Sequence, residues 1–328
     1  MSTSLVSTGV TFPDSSTQKT AATGFGFKNR IINGGFNIFQ RASTATTVTL
    51  NGPGYTTADR FFSYQNGTAG VQTSQVAASL SGFPYAIKWG RPSGNTTTGI
   101  TVLGQALETQ NSFDLQGQSV TLSFYAKSGA NFSAASSQIG VLMFSGTGTD
   151  QSATSMVTGA WTGSSNPISN SATLTTSWQR FTYTATLGSS VSQVGIYFSW
   201  SPVGTAGSDD NVYITGIQIE KSPTATAFDV RSIGTELLLC QRYYEIGSTW
   251  LQAGGTPTSA GYGVQFSVPK RTASTNSFSN ITYNLGSLLT DYTSNLPSPT
   301  GINSLAFYFV PSGNSAYVKF SYSASAEL

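Results

Sequence analysis

The chain has 328 residues with 9% charged side chains, a net charge of +2, no histidine and one cysteine, Cys240. That composition excludes an intrachain disulfide framework, histidine-based catalysis and histidine-ligated metal. It also argues against phosphate binding, which needs clustered cations, since the longest basic run is Lys270-Arg271. Aromatics at 12% with so little net charge point to a folded chain rather than a disordered one.

Residues 1–28 are polar and Gly/Thr-rich, with Phe12, Phe25 and Phe27 isolated, and cannot bury a core alone. No charged-then-apolar leader opens the chain, and no apolar run approaches the ~20 residues of a membrane span, so no membrane insertion is expected.

Residues 29–233 read as short strands separated by turn residues. In 118–127, Val120, Leu122 and Phe124 fall on one side and Thr121, Ser123 and Tyr125 on the other. Residues 178–184, 193–200 and 211–219 are comparably β-branched and aromatic. Period-two patterning without helix-length apolar segments between strands predicts an all-β antiparallel sandwich or barrel. Saccharide recognition uses aromatic faces beside amides and hydroxyls, so the candidates are Tyr85, Trp89, Trp161, Trp200 and Trp250, which border Gly/Ser/Asn-rich loops; Trp178 opens a strong strand and is expected in the core. Asp209, Asp210 and Asn211 carry oxygens that suit Ca²⁺, but they lack the alternating spacing and distal Glu of an EF-hand, and a solvated turn is the expected role. No metal or other cofactor is expected.

Residues 234–247 break the pattern. Thr235 can cap a helix start and Glu236 suits its first turn, with Gly247 as a stop. Leu237, Cys240, Gln241 and Tyr244 share a face, with Leu238 beside it. Three turns are marginal alone, so this helical joint needs a partner. Residues 248–328 return to β and make a small domain. Paired carboxylates for glycoside hydrolysis are not apparent among the thirteen acids, and no β-solenoid repeat is visible.

Several motifs carry a family resemblance: GVTFPDSSTQKTAA (9–22), NRIINGGFNIFQR (29–41), YTTADRFF (55–62), TGIQIEK (215–221) with TAFDVR (226–231), IGTELLLCQRYYE (233–245) and ASAEL (324–328). In this order they resemble tail-fibre proteins of tailed, cyanophage-type bacteriophages. The resemblance implies a carbohydrate-binding-module-like jelly roll, a trimer-forming C-terminal tip, and an N-terminal arm binding other tail or baseplate proteins through residues 1–28. It implies a virion protein, assembled in the host cytoplasm, that attaches to host-surface polysaccharide. With the missing catalytic groups it is read as non-enzymatic. The helix's need for a partner leads to the expectation of a homotrimer clamped by Leu237, Leu238, Cys240, Gln241 and Tyr244, the other destination for that helix being the underside of its own jelly roll. The alternatives are a purely structural adaptor or decoration subunit and a glycan-degrading tail spike.

Overall fold

The computed structural model describes residues 4–6, 9–11, 17–18, 28–48, 53–66, 70–252, 260–284, 286–289, 302–311 and 317–328. The expected attachment arm, 1–28, lies outside them except for Lys28 and three short antiparallel strands, β1 (Ser4–Val6), β2 (Gly9–Thr11) and β3 (Thr17–Gln18).

The large domain is a two-sheet antiparallel jelly roll. One sheet orders as β11 (Ser165–Thr173), β10 (Gln138–Gly146), β13 (Gln193–Trp200), β8 (Thr101–Ala106) and β5 (Phe62–Gln65). The other orders as β12 (Gln179–Thr186), β9 (Ser119–Ser128), β14 (Asp210–Glu220), β7 (Phe83–Arg91), β6 (Val71–Leu80) and β4 (Thr46–Val48). From β8 to β14 the chain mostly alternates between sheets, so neighbours within a sheet are distant in sequence. The alternation read in β9 sets the core: Val120, Leu122, Phe124 and Ala126 point between the sheets, where the Phe124 ring lies 4.7 Å from Phe198. Two short helices, α1 (Thr109–Ser112) and α2 (Ala153–Val157), sit in connections. No helix among the described residues is long and apolar enough to cross a membrane.

The third helix, α3, spans Ile233–Gln241 and is followed at once by β15 (Tyr244–Gln252). Its cap is Ser232, whose hydroxyl accepts the Thr235 N–H, rather than Thr235 itself, and Gly247 is a strand residue, not a stop. Gly247 lies where any Cβ would meet the Tyr322 ring at 2.5 Å. α3 rests on its own jelly roll: Cys240 and Tyr243 are buried with Ile32 and Ile38, while Leu237 and Leu239 pack alongside. Burial pushes the Cys240 thiol well above its ordinary pKa, as befits a small apolar core residue.

The small domain packs β15, β20 (Tyr317–Ser325) and β17 (Thr275–Asn284) against β16 (Ala260–Gln265), β19 (Ser304–Pro311) and β18 (Gly286–Leu289). Phe266, Leu305, Val318, Phe320 and Tyr322 form its core.

Segments far apart in sequence converge where the two domains meet. Arg41 and Arg60 both pair with Glu327, the first at 3.0 Å. Their guanidinium carbons lie over the neighbouring rings, Arg60 at 3.5 Å from the Tyr243 centroid and Arg41 at 3.6 Å from that of Tyr244. The Tyr55 hydroxyl donates to the Leu328 carbonyl at 3.2 Å, and Arg271 donates to the Ala326 and Glu327 carbonyls. Ala326 N–H donates to Tyr243 O at 2.7 Å, and Gln40 Nε2 to Tyr244 O at 2.7 Å. Thus the C-terminal residues clip the small domain onto the large one through motifs 29–41, 55–62, 233–245 and 324–328.

Candidate functional site

The sequence candidates separate sharply. Trp89 and Trp200 are core residues, not loop residues: both are buried in the main core and meet edge to face at 6.3 Å. Trp89 lies within β7 because Ile87 and Trp89 alternate inward, and the neighbouring Gly90 admits the Asp210 backbone, 2.4 Å from where a Cβ would stand. Trp161 is buried in a second cluster, its indole N–H donating to Ser152 O at 2.9 Å. None of these three presents a ring face to a ligand. Tyr85, 41% exposed, and Trp250, 56% exposed, remain at the surface, the first on β7 and the second on the small domain.

The 209–211 turn is likewise structural. Asp210 is fully buried against Arg91, with its carboxylate 2.6 Å from Nη2, and accepts the Ser133 N–H at 2.8 Å. Asp209 Oδ1 accepts from Asn211 Nδ2 at 2.9 Å and from the Tyr213 hydroxyl at 2.8 Å. These oxygens are spent on protein donors. Glu108 and Asp150 share an open cleft with the exposed Phe113. There Arg242 grips Glu108 by two bonds of 3.0 Å, and Asp150 accepts the Thr109 N–H with Arg271 at 3.6 Å. Asp150 thus anchors the first residue of α1, and Glu108 ties the start of α1 to Arg242.

A site missed from sequence lies on the outer face of the six-stranded sheet. In β9 the residues opposite the core set, Tyr125 and Lys127, face outward; register places Arg180 and Thr215 beside Tyr125, and Tyr213 then Lys88 beside Lys127. Lys127 Nζ lies 5.3 Å from the Trp178 ring and 5.0 Å from Tyr213, within cation–π range. Tyr213 is fixed by its bond to Asp209, and Lys88 Nζ stands 3.8 Å from the same carboxylate. Burial and the Asp209 charge raise the Tyr213 pKa, so the hydroxyl keeps its proton as a donor.

The β6–β7 hairpin turns this face into a trough. A bulge between Ala77 and Leu80, with Ser79 at φ +50°, bends the hairpin tip over the sheet. The Trp178 indole donates to Ala78 O at 2.8 Å, although β9, β14 and β7 separate β12 from β6. At a strand spacing of roughly 4.8 Å a flat sheet would hold those edges about 19 Å apart, so the sheet is strongly curved and the hairpin arches across it. Phe83 at the tip packs 5.2 Å from Tyr125 and 5.1 Å from Phe228. Gly216, at φ +63°, sits beneath, and a Cβ there would come within 2.7 Å of the Phe83 ring. Trp178, expected in the core, is instead a half-buried wall of the trough. Its only sequence signal was its place beside an alternating strand, which does not say which face it takes.

Comparisons with known proteins add likenesses of fold. No family model matches the chain, and no curated protein matches it. Among solved structures, a carbohydrate-binding module of family 4 is 19% identical, with a TM-score of 0.34, and the match covers 58% of this chain and 98% of that one. The family 11 carbohydrate-binding module from Clostridium thermocellum, in complex with a β-1,3-1,4-mixed-linked tetrasaccharide, is 16% identical over 51% of this chain and 91% of that one, with a TM-score of 0.32. The enzymatically active domain of bacteriophage CBA120 tailspike protein 4 is 11% identical, with a TM-score of 0.33, over 59% of this chain but 21% of that one.

Proposed function

We propose that the chain is a non-enzymatic attachment subunit of a tailed-phage virion that binds host-surface saccharide through the trough. The observation that carries this reading is the joint placement of Trp178, Tyr213, Tyr125 and Lys127, each half-buried, on one curved outer sheet face. Sugar rings offer apolar C–H faces for stacking and hydroxyls for hydrogen bonds. The trough supplies rings together with the Lys127 ammonium and the Arg180 guanidinium as donors. Asp210, the carboxylate that follows Asp209, is fully buried on Arg91, which supports adhesion over hydrolysis by an exposed carboxylate pair. Tyr85, on the arching hairpin, is the candidate for the rim.

The phage assignment rests on the motif resemblance. Homotrimerisation belongs to the same reading, with α3 as a contact: Leu238 is 47% exposed and Ile233 62%, whereas Cys240 serves the chain's own fold. Weak single sites become useful when three copies engage one polysaccharide.

Binding of the purified protein to immobilised host polysaccharides, with reducing ends assayed in parallel, tests the reading. Retention without release of reducing ends supports it; release marks a glycan-degrading spike; no retention on any surface polysaccharide leaves a structural adaptor and overturns it.

A further inference from the structure

The outer face of the small domain's sheet carries an arrangement that the trough does not account for. Register sets residues in rows across β15, β20 and β17: Ile246, Ser323 and Ser277, then Ser248, Ser321 and Ser279, then Trp250, Lys319 and Thr282. Tyr322, Phe320 and Val318, which alternate with these in β20, fill the domain core, so the rows look outward. Among the described residues the hydroxyls of Ser248, Ser277, Ser279 and Ser323 have no side-chain partner, and Ser321 receives one long bond of 3.4 Å from Asn280. Toward the jelly roll the rows stop at Gln40 and at Arg41, stacked on Tyr244. The first two rows and this wall line an open groove of about 620 Å³, within the ~300–1,000 Å³ of small-ligand sites, and the Trp250 row continues the floor beyond its end.

We propose that this groove is a second saccharide site, taking a chain laid along the strands from Tyr244 to Trp250, a run of about 20 Å. The serine rows match sugar hydroxyls, while Ile246 and Trp250, 47% and 56% exposed along the edge strand, match apolar ring faces. A protein partner laid flat on the rows would strip water from four unpartnered hydroxyls, each costly to bury without a new bond. No carboxylate lines the groove among the described residues, and the Arg41 charge is already met by Glu327. This inference shares its ligand class with the reading above, but neither its residues nor its domain.

The test is a ¹H–¹⁵N titration of the full chain with short gluco-, xylo-, galacto- and manno-configured oligosaccharides, following the five tryptophan indole signals. Trp250→Phe and Trp178→Phe identify the two that matter. The Trp250 signal is expected to shift saturably with at least one sugar, also in the Trp178→Phe protein. Ser279→Leu, which fills the floor, is expected to weaken that binding about tenfold, the size of one or two lost hydrogen bonds, without changing thermal unfolding. A response of Trp178 alone overturns the second site and leaves the trough intact. No response from either signal overturns both. A Trp250 signal that moves with protein concentration instead makes this face a contact between copies, and the proposal falls.

Discussion

Arg60 and Glu327, 267 positions apart in sequence, form a buried ion pair between the jelly roll and the end of the chain. Arg60 is also bonded to Ala106 O at 2.7 Å and stacked on Tyr243, so its charge is met on three sides. Burial by itself lowers its pKa, but attraction to Glu327, Tyr243 and Tyr55 and the bond to Glu327 together more than offset that cost and leave the pKa raised.

Removing one partner should therefore be costly. Glu327→Gln leaves a buried guanidinium without its counter-charge, a loss of about 3–5 kcal/mol for such pairs. Denaturant unfolding followed by circular dichroism should show that loss, while Glu327→Gln keeps the wild-type strand content. A change under 1 kcal/mol would mean that the C-terminal clip contributes little.

This clip could not be seen in the sequence. The strands could, because period-two alternation is local: the readings at 118–127, 193–200 and 211–219 fall on β9, β13 and β14. What failed was everything set by distant pairing. Nothing local in the sequence links Asp59 and Arg60 to Glu327, yet all three meet at the joint. Trp89 and Trp161 were assigned to loops from their Gly/Ser neighbours, but those glycines mark close backbone packing, as Gly90 against Asp210 does. The trough escaped because an outward face becomes a site only when the hairpin bends over it.

Asp59 gives the joint a pH dependence. Burial raises its pKa from 3.8 to about 6, against the opposing bonds from Gln40 and the charge of Arg41. The folded state therefore holds this proton more tightly than the unfolded chain. Its contribution to stability is fully present below about pH 4 and is lost as pH rises through 6, by roughly 3 kcal/mol for a shift of this size. Asp59→Asn should remove that part of the slope in a melting series between pH 4 and 7. An unchanged slope in the variant would place its origin elsewhere.

Asp210 should behave as the partner of Arg91 and not as a calcium ligand. Both side chains are fully buried, so Asp210→Asn should destabilise by about 3 kcal/mol or more. A chelator should leave the melting temperature of the wild type unchanged; a fall of several degrees would identify a calcium site.

If α3 contributes to a homotrimer, its exposed residues and not its buried ones are the contacts. Leu238→Glu with Ile233→Glu should give a monomeric mass by light scattering while the melting of the jelly roll stays within about 1 kcal/mol. Persistence of trimers in the double variant would move the interface elsewhere.

The most direct measurement of the central claim is calorimetric titration of the wild type, Trp178→Ala and Lys127→Met with the host polysaccharide that retains the protein, with Trp250→Ala as the control on the other domain. Wild-type binding that falls about tenfold or more in Trp178→Ala, the size expected for a lost ring contact of about 1.4 kcal/mol, and falls again in Lys127→Met, with both variants folded, is the predicted result. Equal affinity in the wild type and the folded Trp178→Ala protein would contradict the trough as the saccharide site.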